Sequence, residues 1–200
     1  MKNTPRLPYL KRDEMSSDQK KFYDDVVTNM GAPDLPHIWM LEEGQINGPF
    51  TSMFHYPNIG YPLYKLQLKV IKQGLIAKDI IEMFILVIIT DSGAAYGMYA
   101  HELLAKKNGV DGEIIGAILL GRAPDIKDET MKIAYDLALA LTKPGSVPWE
   151  TYKAAIEKFG DEGYNVLVNT AAFFKYIGAL MNAYDEPVPN MTARARRDDS

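Results

Sequence analysis

Residues 79–90 are apolar on nearly every side, and this run constrains the fold more than any other feature of the 200-residue chain. A helix without a polar face has to be covered all round, at the centre of a helical bundle or in an interface between subunits. Its longest uninterrupted apolar stretch, 83–89, is too short to span a bilayer, which takes about 20 residues. No segment of the chain shows the strand-like alternation of apolar and polar residues over a useful length. The sequence therefore predicts an all-α protein.

Glycines and prolines divide the rest of the chain into further helices. Ser92-Gly93 ends the apolar helix, Gly109 ends the next one, and Gly160 separates the last two. Residues 31–49 hold three prolines and several glycines, so they are expected to be mostly irregular. The expected helices are 17–30, 50–55, 58–72, 79–90, 94–107, 113–120, 128–142, 148–159 and 162–184.

Composition limits the cellular setting and the partners. The net charge of −4 argues against a general nucleic-acid surface, and the basic run 194–197 is followed at once by two aspartates. The N-terminus has no apolar core of the length a secretory signal needs. We expect a soluble, cytoplasmic protein with no membrane partner. Three parts are expected: an extended arm (1–15), one helical domain (16–185) and a charged tail (186–200).

Four residues with helical spacing mark a candidate site. Ala94, Gly97, Met98 and His101 recur at steps of three and four, so they share one face of the helix 94–107. The imidazole leans toward Gly97, which has no side chain, and Ala94, which has only a methyl group. The resulting gap is either a small-molecule pocket or a place where another helix approaches closely.

Glu82 and His101 form the candidate acid/base pair. An imidazole exchanges protons near neutral pH, which suits catalysis, although a lone helix histidine also serves as a structural residue. Glu82 interrupts an apolar helix, and a buried carboxylate is costly unless it is paired or protonated. It either pairs with the histidine or lies in solvent near the helix start, where acids favour the helix dipole.

Two further residues could bind substrate oxygens, and each has a structural alternative. Tyr96 is at the start of the helix, between Ala94 and Gly97, and it could donate to an anionic intermediate or be a core aromatic. His55 lies shortly before Pro57 and could reach the same pocket, or it could be a capping or surface histidine. The three histidines are widely separated and none has an HxH or HExxH spacing, so no metal site is expected.

The stretch from Glu82 to His101 resembles the signature of the carboxymuconolactone decarboxylase / alkylhydroperoxidase-D-like (AhpD-like) family. The likeness extends from about residue 47 to residue 189, through NGPFTSMFHYP, AYGMYAHELLAKKNGV and the segment that begins at residue 145. The family's motif helix is Tyr-Glu-Trp-x-x-His, and this chain has Tyr96, Gly97, Met98 and His101 at those positions. The family's peroxidase branch has two cysteines, seven and four residues before the histidine. Here those positions hold Ala94 and Gly97, and the chain has no cysteine, which excludes thiol peroxidase chemistry.

The resemblance implies an AhpD-like multi-helix bundle that forms a dimer, trimer or hexamer of like subunits. It implies that Glu82 relays protons to His101, without metal or organic cofactor. The implied reaction is decarboxylation of a β-keto acid, a vinylogous acid or a lactone acid. Because Gly97 replaces the family glutamate, a proton-transfer isomerase, a lactone-opening enzyme or a cyclase is the alternative, and a non-catalytic ligand-binding or scaffold protein is the second. The small-molecule substrate would contact Tyr96, His55, Gly97, Met98 and Ala94.

Overall fold

The structure is a computed structural model, and it describes residues 6–29, 38–41, 43–72 and 74–189. Within these ranges there is no strand, only an isolated bridge between Met40 and Ile46. The all-α prediction is therefore confirmed. The helices are α1 (Ser17–Asn29), α2 (Pro49–His55), α3 (Pro57–Ile71), α4 (Lys78–Ser92), α5 (Ala95–Lys107), α6 (Gly112–Leu119), α7 (Glu129–Thr142) and α8 (Trp149–Ala183).

Helix α4 lies at the centre of the bundle. It packs against α5, α6, α7 and α8, and every side chain from 83 to 89 is buried. Each fully buried Leu, Ile, Met or Phe side chain contributes about 1.5–3 kcal/mol to folding. The apolar run allowed two arrangements, and the structure has the first: the helix lies at the centre of the bundle and is covered by other helices of its own chain. No subunit interface is needed to bury it.

Local signals in the sequence set most of the helix ends. Gly93, with φ of 66°, ends α4 in the left-handed conformation that glycine adopts at little cost. Asp111 and Asp128 cap α6 and α7, each accepting a backbone N–H at 2.7 Å. Observed bounds differ from the predicted ones by one or two residues. The predicted end of α1 at Met30 lies outside the described residues.

The sequence predicted two helices that Gly160 separates, and the structure confirms this break. The backbone at Gly160 is non-helical, with φ of 69° and ψ of 175°, so α8 consists of two helical halves that meet at a kink. In the described part of the chain, α8 alone has the length and mean hydropathy (1.2) to cross a membrane, and half of that window is buried inside the protein.

The N-terminal segment folds back on the bundle. Phe22 of α1 contacts Phe54 and Tyr64, with ring centroids 4.7 and 5.5 Å away. This aromatic cluster joins α1, α2 and α3, and such ring pairs stabilise a fold by about 0.5–1.5 kcal/mol beyond their buried area. The predicted division of the chain into arm, domain and tail stays a prediction.

Candidate active site

Glu82 and His101 lie side by side. Nδ1 of His101 is 2.8 Å from Oε2 of Glu82, and the two side chains are 14% and 15% exposed. The pairing follows from the hairpin that α4 and α5 form around the turn at Gly93, which brings the N-terminal half of α4 beside the middle of α5. The sequence left open whether Glu82 faces solvent near the helix start, and the structure places its carboxyl against the imidazole.

A third helix supplies a ring to the site. Phe174 of α8 meets the imidazole of His101 edge to face, with ring centroids 4.9 Å apart and an interplanar angle of 89°. Phe174 is buried and is itself braced by Phe173 at 5.3 Å. The imidazole is therefore held by a hydrogen bond at Nδ1 and by an aromatic contact, and both limit its rotation.

This arrangement determines which nitrogen can exchange a proton. An ionised carboxylate only accepts hydrogen bonds, so Nδ1 carries the hydrogen when Glu82 is charged. Nε2 then bears the lone pair, and it is the atom that can take a proton from a bound molecule and return it. In many acid/base sites the hydrogen bond at one ring nitrogen sets the histidine tautomer in this way.

The small residues of the motif are close-packed. A Cβ added at Gly97 would lie 2.9 Å from Cε of Met181 and 3.2 Å from the side chain of Ile89. Ala94 precedes α5 and is fully buried, and Met98 is partly buried against the core. The sequence left open whether the gap beside Gly97 is a small-molecule pocket or a place where helices approach closely. The structure shows close approach, because side chains of α4 and α8 fill the space beside Gly97.

The hydroxyl of Tyr96 has protein partners. It donates to the carbonyl of Ile38, and the side-chain nitrogen of Asn47 donates to it at 3.1 Å and to the carbonyl of Trp39 at 2.9 Å. Burial raises the pKa of Tyr96 well above its usual value. Five residues along a helix turn the side chain by about 140°, so Tyr96 and His101 point to different sides of α5. The structure does not bring the two together.

His55 contacts the N-terminal arm. Its Nε2 lies 2.9 Å from the carbonyl oxygen of Pro8, and its ring is next to that of Tyr56. It is the last residue of α2, and none of its contacts reaches the Glu82–His101 pair. Its substrate-binding role stays a prediction, since the observed partner is backbone.

Two surface grooves lie away from the pair. One, of about 520 Å³, is bounded by α6, the segment 123–128 and the start of α7, and the other, of about 220 Å³, lies between α7 and α8. Neither is lined by Glu82 or His101. In the ranges that the structure describes, no three His, Cys, Asp or Glu side chains are grouped as a metal site would need. His37 lies outside the described residues.

No protein-family profile matches the chain, and no curated protein does. Solved structures do match it. One is an alkylhydroperoxidase AhpD core, an uncharacterised peroxidase-related protein from Ralstonia eutropha JMP134, with a TM-score of 0.73, 16% identity and 93% of each chain covered. The chain has the AhpD-like fold.

A second match to the AhpD-like fold is the debrominase Bmp8 in its apo form. Its TM-score is 0.69, at 12% identity and with 91% of each chain covered. A cysteine-to-alanine variant of that debrominase, in complex with 2,3,4-tribromopyrrole, gives 0.64 at 16% identity, covering 81% of this chain and 89% of that one. At such identities these matches establish the shared fold.

Within this AhpD-like fold, sequence reasoning missed two residues. Phe174 is one of several apolar residues on α8, and nothing in its spacing distinguishes the one that touches His101. Glu186 was assigned to a charged tail, yet its side chain is buried. A signal for it was present: it is followed by Pro187 and Val188, and an acid beside buried apolar residues has to be paired or protonated.

Proposed function

We propose that this protein is a cofactor-independent enzyme in which the Glu82–His101 pair moves a proton to or from a small metabolite. The observation that carries the proposal is the 2.8 Å contact between Nδ1 and Oε2 of a partly buried pair. A positioned general acid or base contributes about 10²–10⁴-fold to a rate. The pair keeps access to solvent, so the protons it exchanges can be replaced.

Decarboxylation of a β-keto or vinylogous acid is the first candidate reaction. The bond between the carboxylate carbon and the adjacent carbon breaks, CO2 leaves, and the bonding electrons form an enolate. His101, protonated at Nε2, then donates that proton to the carbon, and Glu82 stabilises the charged ring. The imidazole recovers its proton from water, so the net reaction consumes one proton and releases one CO2.

Double-bond isomerisation is the second candidate. Here Nε2 takes a proton from one carbon and returns it to another, and no atom is gained or lost. One observation favours it: the position of the family's motif carboxylate is Gly97, which is packed against Met181 and Ile89, so a single acid/base pair remains at this place. A single base suffices for a reversible proton shift. Lactone opening and cyclisation use the same proton transfers.

The neighbouring structures support a small, conjugated substrate. The debrominase complex contains 2,3,4-tribromopyrrole, a single five-membered ring. An aromatic side chain next to the imidazole, here Phe174, suits a flat conjugated molecule of that size. Chemistry that depends on a cysteine thiolate is not part of the proposal, since this chain has no cysteine.

We also propose that the chain forms a homo-oligomer. Helix α3 carries a row of apolar residues at steps of four, three and four: Ile59, Leu63, Leu66 and Val70. Ile59 is 64% exposed and Leu66 is 46% exposed. Helices with such an apolar row commonly pack against each other along it. We therefore expect α3 of a second copy to pack against this row.

The function is tested by mass-resolved profiling of small molecules from the producing organism. An extract is incubated with the wild-type protein and, in parallel, with His101→Ala. A wild-type-specific product lighter by CO2 supports decarboxylation, and one of unchanged mass supports the isomerase or cyclase. A ligand bound by both proteins and altered by neither would identify a non-catalytic carrier and overturn the proposal.

A further inference from the structure

The carboxyl of Glu186 is buried where three separate segments meet. Only 7% of the residue is exposed. Its Oε1 accepts the backbone N–H of Gly48 at 2.8 Å and the hydroxyl of Tyr9 at 3.1 Å. The hydroxyl of Thr51, in α2, lies beside the same carboxyl. One acid thus connects the N-terminal arm, the start of α2 and the segment after α8.

The same segments are joined by further hydrogen bonds. The backbone N–H of Arg6 donates to the carbonyl of Tyr184 at 3.0 Å, and its guanidinium donates to the carbonyl of Ala183 at 2.9 Å. The carbonyl of Pro8 lies 2.9 Å from Nε2 of His55. Residues 6–15, which we call the arm, are therefore attached at their beginning to both α2 and the end of α8.

Glycine at position 48 is required for this arrangement. Its φ is 70°, a conformation that other residues rarely adopt, and a Cβ there would overlap the ring of Tyr96. The backbone N–H can reach Glu186 because the chain passes directly over that ring. The donor and the buried acid are thus placed together by local backbone geometry.

Among the residues that the structure describes, the hydrogen-bond partners of this acid include no cation. The groups that face it are Tyr9 from the arm, Thr51 from α2 and the buried phenol of Tyr96 from α5, which in turn faces Tyr99. Arg6 is nearby but donates to the backbone. The donors to the carboxyl are the hydroxyl of Tyr9 and the backbone N–H of Gly48, with the hydroxyl of Thr51 beside them, and all three groups are neutral. A buried carboxylate that has only neutral partners is a costly arrangement.

We propose that Glu186 is a proton-operated latch, which holds the arm against the body of the protein when protonated and releases it when it ionises. In the protonated state, Oε1 still accepts from Gly48 and Tyr9, and burial of the neutral acid costs much less solvation free energy than burial of the carboxylate. In the ionised state, the charge is better solvated by water than by two or three neutral donors. Release exposes Tyr9 and Leu10, and it frees the N–H of Gly48.

The direction of the pH effect follows from burial. Burial raises the pKa of Glu186 from 4.5 to about 7, while the hydrogen bonds from Gly48, Tyr9 and Thr51 lower it. Because the pKa is higher when the latch is closed than when the carboxyl is in water, closure is most favourable below pH 4.5. It weakens as the pH rises through 7 and then stays constant.

Hydrogen exchange of the full chain between pH 5 and 9 tests the latch, with each rate divided by the intrinsic rate at that pH. Protection of residues 6–15 should fall about tenfold between pH 6 and pH 9, while residues 83–89 stay protected. Glu186→Gln cannot ionise, so its arm should show no such fall. Glu162→Gln, which changes an exposed acid of α8, should behave as the wild type.

Two results would overturn the latch: an arm in Glu186→Gln that loses protection with pH as the wild type does, or a wild-type arm whose protection is independent of pH. If Glu186→Gln does not fold, Tyr9→Phe keeps the acid and removes one donor. Its arm should then exchange faster than the wild-type arm at every pH. Equal exchange of the two arms would equally refute the proposal.

Discussion

Glu82 and His101, nineteen residues apart in sequence, meet through a 2.8 Å contact between Oε2 and Nδ1 on adjacent helices. Neither helix alone creates this pair. The apolar faces of α4 bury it between α5 and α8, the left-handed turn at Gly93 reverses the chain, and the carboxylate then lies beside the imidazole. A central, fully covered helix is what gives the pair its position.

Replacing Glu82 by Gln should lower turnover by about 10²-fold or more, because the amide cannot balance the charge that develops on the imidazole. The free energy of unfolding should change by about 1 kcal/mol. Glu102→Gln is the matched control: Glu102 is on the same helix as His101 and pairs with Lys106 on the surface. Steady-state rates of the three proteins check this, and equal losses in both variants would refute a specific role for Glu82.

Phe174→Leu should leave the imidazole less ordered. Loss of the ring should destabilise the fold by about 1–3 kcal/mol and broaden or average the ¹⁵N signals of His101, which report its tautomer. Phe50→Leu removes an equally buried ring from the aromatic cluster around α2. Phe50→Leu should lower the free energy of unfolding by a similar amount without altering the His101 signals. Unchanged His101 signals in Phe174→Leu would show that the ring contact is packing alone.

Gly97→Ala distinguishes close packing from an open gap. The added methyl would lie 2.9 Å from the terminal methyl of Met181 and 3.2 Å from the side chain of Ile89, so both side chains have to move. The variant should therefore not gain the roughly 1 kcal/mol of unfolding free energy that alanine contributes over glycine in an open helix. Gly116→Ala on α6, where a Cβ meets nothing within 4 Å, should gain up to about 1 kcal/mol through helix propensity. Denaturant titrations compare the two. Stabilisation of both variants would mean that the space beside Gly97 is open.

Glu186 should also affect stability as the pH changes. Below pH 4.5, the wild type and Glu186→Gln should have a constant difference in unfolding free energy. Between pH 4.5 and pH 7, the wild type should lose about 3 kcal/mol relative to the variant, because a pKa of about 7 in the fold lies above the ordinary 4.5. Denaturant unfolding at a series of pH values measures this. A difference that is independent of pH would contradict it.

The proposed oligomer is tested at α3. Sedimentation velocity at micromolar concentration should show a dimer or a larger species for the wild type. Ile59→Glu combined with Leu66→Glu should give monomers, because a charge in an apolar seam is expensive to bury. Leu120→Glu changes an exposed leucine elsewhere and should leave the assembly intact. A wild-type protein that sediments as a monomer would contradict the proposed homo-oligomer.

Local chemistry explains why so much of the fold could be predicted from sequence. Gly93, Asp111 and Asp128 act within one turn of their own helix ends, so their effect is visible in a single sequence. The run 79–90 has no polar face, and such a helix has to be covered all round, either in the centre of a bundle or in an interface between subunits. The break at Gly160 was equally local, because a glycine that adopts a positive φ interrupts helical geometry at its own position. How the two halves of α8 pack on α4 and α7 depends on distant segments.

The site was predictable only in part, because its partners come from distant segments. The spacing of Glu82 and His101 was readable through the family resemblance. The resemblance implied that Tyr96 and Gly97 face the substrate. In the structure Tyr96 contacts Asn47 and Gly97 lies against Met181, each partner more than forty residues away in sequence. Phe174 was not found, since burial by a remote part of the chain leaves no local pattern. The local signal for Glu186 was its place before Pro187 and Val188, within a segment that reads as a charged tail.

The most direct test of the proposed chemistry is product formation in D2O from an extract of the producing organism. The wild type should form a product that carries one deuterium at the protonated carbon, and His55→Ala should form it too. His101→Ala should not form it, and Glu82→Gln should form much less. If His101→Ala makes the same deuterated product at the wild-type rate, the Glu82–His101 pair is not the proton-transferring group and the account is wrong.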